Sequence, residues 1–178
     1  YKNEIHLDDL KIQDFDKVKQ KRQIACIKES LDFVDVSKIK GFLKEVTFPI
    51  SFVDFECAQF AIPIFQNTAP FEQIPFMFSL HVFDGTHLKH DLYISPPNTD
   101  PRQPIIDAFK AKLPKDGTVF VFNKHSELLI FKKLNQFNNE NDLFFNNVIS
   151  RLLDIQLPFK HQWIYLRSFN GKCSIKNI

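Results

Sequence analysis

The sequence predicts an α/β fold in which a mixed sheet, with three antiparallel strands plus parallel strands, is flanked by helices. Apolar runs at 50–56, 74–82 and 88–94 are separated by turn-forming residues, which is typical of antiparallel strands. Apolar residues at helical spacing over 102–113 then predict a helix. A short, continuously apolar run at 119–122 follows, as expected for a buried strand that a crossover helix returns to the sheet.

The composition sets limits on the class of protein. The chain has 178 residues, enough for one domain with a core or for a domain plus an appendage. With 23 basic and 21 acidic residues, the charge is too balanced to indicate nucleic-acid binding by itself. No apolar run approaches the roughly 20 residues of a membrane span, so no membrane partner is expected. Three scattered cysteines suit a reducing, cytoplasmic location.

Residues 1–47 are predicted to form a helical connector. Apolar residues recur at helical spacing within 16–33 and again over 36–43, with Ser37 as a candidate N-cap. The basic cluster at 17–22 could touch phosphates or form a solvated face. Because the chain begins at Tyr1 and stops soon after a cap-like serine near its end, we expect a piece of a longer protein.

The first strand ends in two carboxylates. A side-chain period of two places Asp54 and Glu56 on one face, about 6.5–7 Å apart along the strand. That face begins with Ile50 and Phe52, so it starts apolar and finishes with two negative charges. Because an unpaired buried carboxylate is very costly, we expect a cation there. A pair of metal ions and a Lys or Arg partner are the two candidate cations, and the alternative to both is a pair of acids that face water at the strand end.

The segments between the predicted strands carry clear turn signals. Residues 57–73 contain Pro63 and Pro70 and are predicted to form a packed loop. Asp84-Gly85 lies between the second and third strands and predicts a hairpin turn. These three strands therefore follow one another through short-range connections.

A second group of candidate residues follows the strand at 119–122. Asn123 is expected at a strand-to-helix turn, either as the helix N-cap or as a group that orients a substrate. Glu127 falls in the first helical turn, where the helix dipole favours negative charge and where it could also bind a metal. His125 is the one histidine beside this candidate site. It is a cap or surface residue, or it contacts substrate.

The last part of the chain adds a third candidate acid. After a loop at 138–142, a helix is predicted over 143–153, and residues 155–170 are expected to be extended or irregular. Asp154 either caps the chain's exit from that helix or adds to the acidic site. The predicted order of strands and helices is the outline of a ribonuclease H-like domain.

Several segments resemble a bacterial domain-of-unknown-function family, which is itself similar to the DEDD (DnaQ-like) 3′–5′ exonucleases of ribonuclease H-like fold. These segments are 52–56, 61–63, 70–76, 78–81, 121–123 with Glu127, and 174–176. The resemblance covers about residues 48–178 and defines the second predicted domain. Members of the family resemble each other in having a RecB-like nuclease region upstream, so an upstream nuclease-like region of the same protein is an expected partner.

The resemblance implies a two-metal exonuclease site that acts on the 3′ end of DNA or RNA. Asp54 and Glu56 match the first motif, and Glu127 falls where the second motif usually has Asp. Together they would hold Mg²⁺ or Mn²⁺, with Asp154 as a further candidate ligand. The predicted substrate-binding residues are Asn123, Gln73, Phe76 and His125.

The same resemblance implies an incomplete domain. The exonucleases carry a last acid on a final helix, and no segment up to Ile178 matches it. The fragment is therefore expected to bind metal weakly or to be inactive. The alternative function is a non-catalytic nucleic-acid-binding or scaffold module of a larger nuclease-related protein. Cys57, where these enzymes commonly have Thr or Ser, and the longer side chain of Glu127 are departures from the pattern.

Overall fold

The computed structural model describes residues 9–169 and 171–176. The chain forms two compact units. The larger runs from Val46 to Ile155, and the smaller combines the described residues up to Glu45 with those from Gln156 onward. In chain order the elements are α1 (Val18–Glu29), β1 (Phe33–Val34), α2 (Val36–Leu43), β2 (Ile50–Ala58), β3 (Ile74–Phe83), β4 (Leu88–Ile94), α3 (Arg102–Lys112), β5 (Val119–Val121), α4 (Lys124–Phe137), α5 (Asp142–Ser150), β6 (Leu152–Asp154), α6 (Leu157–Lys160) and β7 (Ile164–Tyr165). Compactness does not test independent folding, so the predicted domains 1–47 and 48–178 stay predictions.

The larger unit contains a five-stranded sheet in the order β4-β3-β2-β5-β6. Strand β3 runs antiparallel to both β2 and β4, whereas β5 pairs parallel with β2 and with β6. The predicted α/β class is therefore confirmed, as is the mixed sheet of three antiparallel strands plus parallel strands. All three residues of β5 are buried, as predicted for a central strand.

The antiparallel part of the sheet follows from local signals. The backbone N–H groups of Thr86 and His87 donate to Asp84 Oδ1, and Gly85 adopts a positive φ of 109°. The predicted hairpin between β3 and β4 is thus confirmed. A bulge interrupts the pairing of β2 with β3 and leaves Phe76 without a partner on β2.

The core of this unit lies on one face of the sheet, under α3, α4 and α5. Alternation along β2 buries Val53 and Phe55, and Phe55 makes edge contacts with Phe109 at 5.3 Å and Phe131 at 5.5 Å between ring centroids. Each large apolar side chain buried in this way stabilises the fold by about 1.5–3 kcal/mol. The alternation leaves Phe52, Asp54 and Glu56 on the other face of the sheet, away from this core.

The helix predicted over 143–153 is wrong in its last turn. Helix α5 ends at Ser150, and residues 152–154 form β6, the fifth strand of the sheet. Arg151 lies between α5 and β6, and its guanidinium donates to the carbonyls of Gly117 and Pro114. These hydrogen bonds hold the chain at the point where the helix ends and the strand begins. Pairing with β5 is a long-range interaction, which helical spacing in the sequence does not reveal.

The smaller unit contains the two predicted N-terminal helices, α1 and α2, and both are confirmed. The cap of α2 is Asp35, whose Oδ1 accepts the Lys38 N–H at 3.0 Å, so the prediction of Ser37 as the cap was wrong by two positions. Strands β1 and β7 pair antiparallel. No helix in the described part of the chain is long and apolar enough to cross a bilayer.

The basic cluster at 17–22 bonds partly to the protein's own backbone. The Lys19 ammonium donates to the carbonyl of Lys160, and the Arg22 guanidinium donates to that of Gln162. The guanidinium also lies 3.9 Å from the centre of the Phe33 ring. These contacts favour a structural role for Lys19 and Arg22.

We expect Gly117→Ala to lower the free energy of unfolding by about 2 kcal/mol or more. Gly117 has a φ of 87°, and a Cβ there would lie 1.9 Å from the backbone oxygen of Pro49. Urea unfolding at pH 7 measures the effect. Gly41→Ala is the control, because it lies in helix α2 with no heavy atom within 4 Å of the added Cβ. The control should match or slightly exceed the wild type; equal unfolding midpoints for all three proteins would contradict the close approach at Gly117.

Candidate functional site

The parallel pairing of β2 with β5 brings the first two candidate motifs together. Ser51 is opposite Val119 and Phe52 is opposite Phe120. Strand β2 continues to Ala58, whereas β5 ends at Val121 and the chain enters α4. The carboxyl-terminal half of β2 therefore lies beside the start of α4. Ligands of α/β proteins commonly bind at such strand ends.

Asp54 and Glu56 share one face of β2, as the alternation predicted, and both are exposed. This exposure agrees with the alternative in which the two acids face water at the strand end. Desolvation, and then the charge of Glu56, still raises the pKa of Asp54. Because both carboxylates are exposed, water screens much of the repulsion between them, and this repulsion has only a small effect on the free energy of unfolding.

Glu127 is the buried member of the group. Only 6% of its surface is exposed. It lies on the same stripe of α4 as Ile130, Phe131 and Leu134, all of which are buried. These positions are spaced i, i+3, i+4 and i+7, so a helical projection of the sequence would have placed Glu127 on the core-facing side. Sequence reasoning located the residue but missed this burial.

The Glu127 carboxyl has no compensating partner within the described part of the chain. Its Oε2 is buried and makes no hydrogen bond, and no Lys, Arg or His lies within ion-pair distance of Glu127, Asp54 or Glu56 there. Burial, followed by the charges of Asp54 and Glu56, raises the pKa of Glu127 to about 8. The three acids are therefore close enough for their charges to interact, and at neutral pH Glu127 is mostly protonated.

Cys57 adjoins the same acids, although it was not among the predicted site residues. Burial, and then the charge of Glu127, raises the pKa of the thiol to about 11. The sulfur is therefore protonated at neutral pH and is a poor nucleophile. Lys133 opposes this shift, but it pairs with Glu72 at 3.6 Å.

The acids match a divalent cation in charge and donor type but are not gathered around one point. Oxygen ligands of this kind suit Mg²⁺ and Mn²⁺, and the unpartnered oxygen of Glu127 would gain most from a cation. Yet no three His, Cys, Asp or Glu side chains in residues 9–169 and 171–176 are arranged to hold a metal ion. Electrostatic interaction reaches farther than a coordinate bond. The side chains of Asp54, Glu56 and Glu127 would therefore have to move to become ligands.

Asp154 and Asn123 make structural contacts at the start of α4. The two oxygens of Asp154 accept the backbone N–H groups of Asn123 and Lys124, each at 3.1 Å. Asn123 has a left-handed φ of 67°, and its amide donates to Ser126 Oγ at 2.9 Å. Asn123 occupies the N-cap position of α4, as one of its two alternatives predicted, but its side chain makes no capping hydrogen bond, and Asp154 on β6 supplies the carboxylate instead. Asp154 was predicted to follow the end of a helix, and this was wrong because it is the last residue of β6.

The other predicted substrate-binding residues lie in three different places. His125 is exposed in the first turn of α4. Gln73 lines a polar cavity of about 240 Å³ together with Glu72 and Lys133. Phe76 lines a separate, mostly apolar cavity of about 670 Å³. Their roles in binding substrate stay predictions.

The fold and the site together define an α/β domain with a carboxylate group at the end of its central strand. The chain belongs to the family described as Domain of unknown function (DUF2779), whose model matches residues 51–174. No curated protein and no solved structure matches the chain. The predicted resemblance to a domain-of-unknown-function family is thus confirmed, and its further likeness to DEDD exonucleases stays a prediction.

Glu127→Gln should raise the free energy of unfolding at alkaline pH. The folded protein keeps this proton up to a pKa of about 8, whereas the unfolded chain loses it near 4.5. Native Glu127 therefore binds more protons between these values, and its contribution to stability falls as pH rises through that window. The variant should equal the wild type near pH 5 and exceed it by on the order of a few kcal/mol at pH 9. Urea unfolding at pH 5, 6.5, 8 and 9 measures the difference.

The matched control for this experiment is Glu140→Gln, the same change at an exposed position. Its difference from wild type should not vary over the same pH range. A Glu127→Gln difference that is also flat with pH would show that Glu127 titrates normally in the folded protein.

Asp154→Asn should lower the free energy of unfolding by about 1–2 kcal/mol, because it weakens the carboxylate cap of α4. Thermal and urea unfolding measure this change. Because both oxygens already bond to the backbone, the affinity for Mn²⁺, measured by calorimetry, should stay within about twofold of wild type. A large loss of Mn²⁺ affinity at unchanged stability would instead make Asp154 a ligand.

Proposed function

We propose that this domain is a metal-dependent nuclease that hydrolyses nucleic-acid phosphodiesters, of the 3′–5′ exonuclease type. The observation that carries the proposal is the buried, unpartnered carboxyl of Glu127 beside Asp54 and Glu56. A protein gains no stability from placing an acid in this position. Strongly perturbed carboxyl groups near a strand end are instead typical of functional sites.

The topology of the sheet supports a ribonuclease H-like fold for this domain. The central strand β2 pairs antiparallel with β3 on one side and parallel with β5 on the other. The predicted motifs lie on β2 and at the start of α4, next to one another. This is the arrangement that the likeness to DEDD exonucleases implies.

In this proposal, Asp54, Glu56 and Glu127 would hold Mg²⁺ or Mn²⁺. Such an ion, when bound, activates a water molecule and stabilises the leaving oxygen. Glu127 carries a proton at neutral pH, so it has to release that proton when it becomes a ligand. Asp54 and Glu56 already face solvent, where they can meet an incoming ion and the phosphate of a substrate.

The remaining predicted residues would contact or orient the substrate in this proposal. Asn123 is fixed by Asp154 and Ser126 and would help to orient the site. Gln73 and Phe76 lie at the start of β3, and His125 is exposed on α4, where each could contact a nucleic-acid strand. An upstream nuclease-like region of the same protein remains a proposed partner.

The alternative is a non-catalytic nucleic-acid-binding or scaffold module. The observation that favours it is that the acids of the described part are not arranged as ligands. In that case Glu127 would be a remnant of a metal site and would only lower stability. Metal-dependent cleavage separates the two functions directly.

The full-length protein should cleave labelled single-stranded DNA or RNA in the presence of Mn²⁺. Asp54→Ala should reduce the rate on the order of 100-fold or more, because a lost ligand costs at least as much as a lost supporting residue. Denaturing gels that resolve single nucleotides measure the rate and the direction of cleavage. Asp107→Ala is the matched control, since Asp107 is exposed on α3.

Equal cleavage by wild type and Asp54→Ala, or none by either, would contradict the nuclease proposal. If neither protein cleaves but both bind the strand equally, the scaffold function holds instead. Loss of activity in Asp107→Ala as well would point to unfolding, which circular dichroism of each variant detects.

A further inference from the structure

A second site lies at the end of the strand that carries Asp54 and Glu56. The 670 Å³ cavity is formed where β2 ends, where β3 begins and where the chain leaves β4. Its walls include Phe60, Phe65 and Phe76. Phe60 and Phe65 meet edge to face, with ring centroids 6.1 Å apart. The cavity is large enough for a flat aromatic ligand.

None of the described residues that line this cavity is charged. Three phenylalanines, two isoleucines and three prolines make most of its wall, with Ser95, Asn98 and Thr99 as the polar members. A phosphate or a carboxylate would lose its hydration there without compensation. The site therefore selects an uncharged group with an apolar face.

The polar wall members add a feature that a purely apolar ligand does not use. The Ser95 Oγ is buried beyond a ligand's reach, whereas Asn98 and Thr99 are exposed at the edge of the cavity. The backbone of Ser95 is held in place, since its N–H donates to the carbonyl of Phe76 at 2.8 Å. A ligand with a flat ring face and a polar edge would satisfy both features. A nucleobase has this combination, and an aliphatic or proline side chain does not.

The cavity also lies at a useful position relative to the acids. Ala58, on its wall, is two residues beyond Glu56 along β2, which corresponds to about 6.5–7 Å. The bulge at Phe76 marks the same point on β3. A nucleic-acid strand whose phosphodiester lies at Asp54 and Glu56 can therefore reach the cavity with a neighbouring base.

We propose that this cavity binds one unstacked base of a single-stranded nucleic acid, next to the phosphodiester held at the acidic site. The proposal rests on the nuclease function and adds its substrate class, which is a single strand or an unpaired end. A base in an intact duplex is stacked and paired, and entering the cavity would cost a few kcal/mol of unpairing.

The test uses free adenosine and uridine, which carry no phosphate and need no metal. Saturation-transfer NMR on the 178-residue chain should show binding of both. Phe76→Ala and Phe65→Ala should weaken it by on the order of 5- to 150-fold, the loss expected for one stacked base.

Phe71→Ala is the matched control, because Phe71 is 66% exposed and lies outside the cavity wall. It should bind nucleosides as the wild type does. A six-nucleotide single strand should displace adenosine, whereas the same sequence in a blunt duplex should not. Thermal unfolding of each variant shows that it is folded before binding is compared.

The proposal is overturned if the wild type binds neither nucleoside, or if the Phe76→Ala, Phe65→Ala and Phe71→Ala variants bind them equally well. It is also overturned if the duplex competes as well as the single strand. A proline-rich peptide that displaces adenosine at lower concentration than the single strand would assign the cavity to a protein ligand. None of these readouts involves metal or cleavage, so they are independent of the Asp54→Ala result.

Discussion

The parallel pairing of β2 with β5 is the constraint on which the site depends. The two strands share only two paired positions, yet these place the end of β2 beside the first turn of α4. Strand β6 extends the same parallel arrangement and presents Asp154 to the start of α4. The helix is therefore anchored at its N-terminus by a neighbouring strand, and its direction fixes where Glu127 lies.

The stripe of α4 that packs into the core also carries a buried acid whose Oε2 makes no hydrogen bond. Ile130, Phe131 and Leu134 bury their side chains in the core, and Glu127 is drawn inward with them. The core contacts offset the cost of the acid, because several large apolar side chains outweigh one buried neutral carboxyl. A site of this kind can persist only on a rigid scaffold, which the phenylalanine-rich core provides.

Charge is separated from apolar surface along a single strand. Asp54 and Glu56 face solvent on β2, and the uncharged cavity begins two residues later at Ala58. The bulge opposite this point leaves Phe76 without a partner on β2, and Phe76 lines the cavity. In the proposed function, the charged phosphate of a nucleotide would lie at the acids and its uncharged base in the cavity.

Local signals in the sequence determined the hairpin at Asp84-Gly85, the helices and the alternation that puts Asp54 and Glu56 on one face, because these depend on residues close in the chain. Residues 152–154 were predicted as helix because their strand exists only through pairing with β5. Asn123 was expected either to cap α4 or to orient a substrate, and nothing nearby in the chain reveals that the capping carboxylate comes from Asp154. The helical spacing of α4 contains the core-facing position of Glu127, but tertiary structure alone decided that no cation meets its carboxyl there and that Asp54 and Glu56 stay exposed, because these depend on which distant elements pack around each carboxyl.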